Sequence, residues 1–234
     1  FISTREETAP YNLTVLKQPF YIKETIELIR RLQPEVKKIA LISDGRYISA
    51  VAREEVNQVM KKEFPYMELD MLCSLDITTE ELLDTLMVYD RTVGIIYYSW
   101  FMGRNQAENH YLADNIQKII FGFADTPVFT LSEMDIEAGA FAGGYFISIP
   151  EFGSRVVQTL REILNGKAAR DIPFQMGGTP RMYLNYHHLV HHGIDPGRFP
   201  GNAVYFQVPP DFLQRYKIYI VIGIALIILL GAIV

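Results

Sequence analysis

Several stretches of this chain that read as strands end in residues able to hold a small ligand. The run 39–42 is followed by Asp44, Arg46 and Tyr47, and the run 68–73 by Ser74 and Asp76. The run 92–98 leads into Ser99, Trp100 and Phe101, and 126–131 into Ser132, Glu133 and Asp135. The guanidinium of Arg46 has the fork geometry that meets a carboxylate. Trp100, the only tryptophan, is an aromatic plate that could cover a small organic molecule. The candidate ligand site is therefore Asp44, Arg46, Tyr47, Ser99, Trp100, Glu133 and Asp135. A plainer role exists for each: acids and serines after strands cap helices, and Trp100 can pack beneath one. Nothing in the set pairs a nucleophile with a base, so the segment reads as a binder and not an enzyme.

A second cluster is His187, His188, His191 and His192. On a helix these form two i, i+4 pairs whose imidazoles suit zinc or copper. A complete site needs further ligands, with Asp195 the nearest carboxylate. The alternative is a polar surface helix, so no metal is assigned, and His187 with His191 is the pair a metal would use. No cofactor is expected. The chain lacks GxxxxGK[ST], HExxH and GxSxG, and has no GxGxxG after a strand. The glycines of 139–144 precede a strand and read as close backbone packing.

The elements that must position these residues alternate. Tyr11 to Leu16 alternates as a strand would, and Pro19 breaks it. Pro34 ends an amphipathic helix carrying Ile26, Ile29 and Leu32. The run 38–43 is apolar without alternation, as in a strand covered on both faces. Helices are expected over 48–64, from Thr78–Thr79 to about Asp90, over 105–121 and over 151–164, with Asn165-Gly166 as a C-cap. Strands are expected at 68–73, 92–98, 126–131 and 141–147. Beyond Gly166 the pattern weakens to a strand at 171–176, a short helix at 183–192 and a last strand at 203–208. Alternation at this spacing predicts an α/β fold with a mostly parallel, doubly wound sheet and helices on both faces. All four strand-end loops should then open on one edge.

With 49% hydrophobic residues the chain can bury a substantial core, and a net charge of −5 without a basic stripe argues against nucleic acid. The single cysteine, Cys73, excludes an intrachain disulfide and a CxxC site. The run 218–234 holds no charged residue. At about 1.5 Å per residue it reaches most of the way across a ~30 Å hydrocarbon core. Tyr216 and Tyr219 stand where an aromatic belt would lie, so a C-terminal transmembrane helix is expected.

Glu24-Thr25, Leu32-Gln33-Pro34 and the stretch from Lys37 to Asp44 resemble the ABC-transporter substrate-binding proteins and the related extracytoplasmic sensor domains of bacterial histidine kinases. The likeness continues through Ala138-Gly139-Ala140 to Ile147, Gly153 and Ile163-Leu164-Asn165-Gly166-Lys167. It resumes in Tyr183-Leu184-Asn185-Tyr186, Gly193-Ile194 and Phe199-Pro200, and spans about residues 12–210. The resemblance implies a type I periplasmic-binding-protein-like lobe that binds a small molecule. It divides the chain into a crossover from a missing first lobe (1–22), a ligand-binding lobe (23–210) and a juxtamembrane and transmembrane segment (211–234). A membrane helix after the lobe is similar to a sensor wired to a cytoplasmic histidine kinase. The resemblance then implies a homodimer in the bacterial inner membrane with its soluble part periplasmic, and a separate periplasmic binding protein as an additional partner. The alternative is the binding component of an ABC transporter with a C-terminal membrane anchor.

Overall fold

The structure is a computed structural model and describes residues 11–101, 113–133 and 141–210, together with 216, 218, 219, 221 and 222. The expected helices at 105–121 and 218–234 therefore fall partly or mostly outside the described residues, as does Asp135 entirely. Among the described residues no helix is long and apolar enough to cross a membrane.

Helix α1 (Ile22–Leu32) places Ile22, Thr25, Ile26, Leu28, Ile29 and Leu32 on one buried face, the three-and-four spacing of an amphipathic helix. Gln33 closes it and Pro34 prevents continuation. Strand β2 (Lys38–Ser43) follows and is buried from Ile39 to Ser43. Its side chains alternate between two cores. Ile39 and Leu41 join the cluster built with α1 and with Val56 and Met60 of α2 (Tyr47–Glu63). Ala40 and Ile42 join the cluster built with Leu82 and Leu86 of α3 (Thr79–Val88), and with Ile116 and Ile120 of α4 (Ala113–Phe123). This explains the apolar run without alternation: both faces of the strand are covered. Each fully buried aliphatic side chain contributes roughly 1.5–3 kcal/mol.

The main sheet has seven strands in the order β3-β2-β4-β5-β6-β8-β9. These are β3 (Glu68–Cys73), β4 (Val93–Tyr97), β5 (Val128–Thr130), β6 (Gly143–Phe146), β8 (Arg181–Asn185) and β9 (Val204–Phe206) around β2. All neighbours are parallel except β6 and β8. Gly143 has φ +138, and a Cβ on it would run into the Tyr183 carbonyl. A Cβ on Gly144 would meet the Thr130 carbonyl, so the paired glycines serve close strand packing.

Three expectations are corrected. The segment 183–192 is not one helix. Tyr183 to Asn185 complete β8 antiparallel to β6, and the helix α6 (Tyr186–His191) starts only where the Asn185 side chain caps the His188 N–H at 2.8 Å. Within 11–16 and 171–176 only short strands form: β1 (Leu16–Lys17) and β7 (Gln175–Met176) pair in a separate two-stranded sheet. Helix α5 (Ile149–Leu164) starts two residues earlier than expected, because Ser148 caps it and Pro150 fits its first turn.

Candidate functional site

Because β2, β3, β4 and β5 are parallel, their carboxyl ends open on one edge. The chain leaves β2 for β3 on one side and returns to place β4 on the other. The ends of β2 and β4 thus form the topological switch point, where open α/β sheets bind ligands. Asp44 stands there with no solvent exposure. Its Oδ1 accepts from the Arg46 backbone N–H at 3.1 Å and the Ser49 hydroxyl at 2.5 Å. Its Oδ2 accepts from Arg46 Nε at 2.8 Å and the Phe101 N–H at 3.1 Å. Ser49 and Ser99 share a hydrogen bond of 2.9 Å across the two strand ends. Burial pushes the Asp44 carboxyl up, but the hydrogen bonds from Ser49, Arg46 and Phe101 and the Arg46 charge outweigh it and hold the group below its usual range.

One carboxylate therefore fastens together the end of β2, the start of α2 and the loop after β4. The Arg46 side chain is pinned at Nε, and its guanidinium carbon lies 4.6 Å from the centre of the Phe101 ring. A second guanidinium supports the strand end from below: Arg53 Nη1 donates to the Asp44 carbonyl at 2.6 Å and to Ser43 Oγ at 3.2 Å. Ser49, Arg53 and the Phe101 N–H belong to this network, and sequence reasoning missed them. The available signal was a serine on the buried stripe Ser49, Ala52, Val56 and Met60 of α2.

The remaining candidates divide. Tyr47, at the first turn of α2, is 73% exposed on the same edge. Trp100 is 5% exposed and lies in the core with Leu82 and Leu86, its indole donating to Thr79 Oγ1 at 3.0 Å. It packs beneath α3, and apolar burial is the physical reason. Glu133 accepts from the Ile149 N–H at the start of α5, so its carboxylate serves that helix. A groove of about 510 Å³ flanks the edge strand β3, lined by Arg53, Glu54, Leu69, Met71, Cys73 and Asp76 among others; Asp44, Arg46 and Ser99 do not line it.

At the histidine run, the rings of His187 and His191 are nearly parallel, 6.4 Å apart. His192 turns away, placing Nδ1 3.1 Å from the Asp125 carbonyl, and burial lowers its pKa. Among the described residues no group of three His, Cys, Asp or Glu side chains is placed to hold a metal ion.

A mostly parallel sheet with covered faces and a polar network at its switch point defines an open, doubly wound α/β domain. The family of ABC transporter substrate binding proteins matches residues 4–196, and the chain belongs to that family. No curated protein matches it. Among solved structures, a conserved domain protein from Vibrio cholerae is similar at 18% identity and TM-score 0.60, over 83% of this chain and 62% of that one. The ligand-free, open structure of a substrate binding protein with adhesive properties from Clostridium difficile is similar at 15% identity and TM-score 0.60, over 84% and 63%. An ABC domain from Streptococcus pneumoniae in complex with L-Trp is similar at 17% identity and TM-score 0.59, over 82% and 64%. These likenesses concern the fold. The chain spans less than two thirds of the length of each of these three structures.

Proposed function

We propose that this chain is the small-molecule sensing domain of a bacterial membrane-bound two-component histidine kinase. The observation that carries the reading is the uncharged run 218–234, which follows the last sheet strand after a short connection. Ligand held between this lobe and a second one would stabilise the closed arrangement and shift a population. Strand β9 is hydrogen-bonded into the main sheet through β8. A shift of the sheet edge would pass through residues 207–217 to the apolar run. In this reading the segment performs no catalysis. It is a homodimer anchored in the inner membrane with the lobe on the periplasmic side, and it can receive a separate periplasmic binding protein.

Insertion of a flexible Gly/Ser segment after Pro210 in the full-length protein tests this. Autophosphorylation that responds to ligand in the wild type should lose that response in the insertion variant. An unchanged response, or a reading frame without a kinase, overturns the proposal. Membership of the ABC transporter substrate-binding family favours a second reading, a transport binding protein with a C-terminal anchor. Ligand-stimulated uptake through an associated permease and ATPase would decide for it. Because one structure of the same fold holds L-Trp, amino acids are the first ligands to try.

A further inference from the structure

The strand end is polar, but its groups are unequally committed. Both oxygens of Asp44 are engaged by two donors each. The carboxylate has no capacity left for a cationic ligand. Glu133 is occupied by the start of α5. Arg46 differs. Its Nε edge is fixed by Asp44 and its ring-facing side by Phe101. Neither Nη atom has a hydrogen-bond partner among the described residues, the ion pair to Asp44 runs through Nε, and the side chain is 37% exposed. A guanidinium donates only in its own plane. With one edge and one face held, the rotational freedom that usually weakens an exposed arginine is already lost, and the outer pair of N–H groups remains.

We propose that Arg46 is the anion-recognising residue of this strand end and that it takes the carboxylate of a small organic acid, with Asp44 as its positioning residue. The assignment rests on the ligand-binding reading above and deepens it by naming the ligand's chemical class. A carboxylate meeting the Nη pair forms two charge-assisted hydrogen bonds, while the matching amide offers one oxygen and sets an N–H against a donor. Asp44 acts through Arg46: its negative charge and its Nε bond hold the fork in place, and it does not touch the ligand.

The test is calorimetric titration of the full-length protein with matched pairs: L-tryptophan and L-tryptophanamide, succinate and succinamide, with arabinose as the neutral control. An acid should bind, and its amide should bind about 10-fold or more weakly. Arg46→Met should bring the acid down to the level of its amide, and Arg46→Lys should restore part of the loss. Asp44→Asn, in folded protein, should weaken the acid and leave the amide unchanged. An amide bound as tightly as its acid, or an Arg46→Met variant that binds the acid like wild type, overturns the assignment. If Arg46→Met fails to fold, the acid–amide comparison on the wild type decides alone. Arabinose as the only binder sinks the carboxylate assignment while leaving the ligand-binding reading intact. No binding by any of the compounds overturns the carboxylate assignment, and the ligand-binding reading is then decided by the Pro210 insertion.

Discussion

The strand end around Asp44 and the helix α5 use their residues in opposite ways. At Asp44 polar groups are turned inward onto one another: a carboxylate with no exposure is shared by Arg46, Ser49 and the Phe101 N–H. On α5 apolar groups are turned outward. Only Thr159 of that helix is buried, while Ile149, Val157, Leu160 and Leu164 stand exposed. Helix α1, also amphipathic in sequence, buries six residues. Amphipathic spacing states that a helix has an apolar face; the neighbouring sheet decides whether the face is filled. The Asp44 region is a densely hydrogen-bonded edge, whereas α5 buries little against the described residues.

The largest effect should come from removing the inward carboxylate. Asp44→Ala strands the Arg46 charge and the Phe101 N–H, and should cost about 3–5 kcal/mol in denaturant unfolding. Its pH arm follows from the lowered pKa of Asp44. The contribution is fully present above the unfolded carboxylate range and is lost as pH falls through the lower folded value. Asp44→Asn should therefore flatten the acid limb of the stability curve; an unaltered limb would show that the carboxylate is not what fastens the edge. Ile29→Ala, on the filled face of α1, should cost about 2–4 kcal/mol through a cavity. Trp100→Phe should cost about 1 kcal/mol by losing the bond to Thr79, and the wild-type indole should show blue-shifted, poorly quenched fluorescence. Leu160→Ala on α5 should change stability by less than about 0.5 kcal/mol. A cost there approaching that of Ile29→Ala would break the contrast between the two helices.

Much of the fold was legible. Strands β2 and β3 coincide with the strands expected at 38–43 and 68–73, and Thr78 caps α3 with Glu81 in a reciprocal capping box. Local chemistry sets these: an apolar run has nowhere to go but a covered strand, and a threonine before two glutamates satisfies the first helical N–H groups. Tyr183 to Asn185 were harder, because their pattern suits a short helix and it is pairing with β6 on one side and β9 on the other that makes them a strand. Asp44, Arg46 and Ser99 were legible as strand-end residues, and the structure brings all three into one network. Ser49 and the Phe101 N–H were not, since a mid-helix serine and a backbone amide carry no signature until the strands are side by side.

The amino-acid order by itself determined the alternation of elements, the two-sided burial of β2 and the polar character of the strand ends, because these depend on residues within a few positions of one another. Only the tertiary structure decided that Trp100 goes under α3, that Glu133 serves α5, and that Asp44 spends its charge on Arg46. Those outcomes depend on which strands become neighbours. A buried carboxylate takes the donors that the assembled sheet brings within reach.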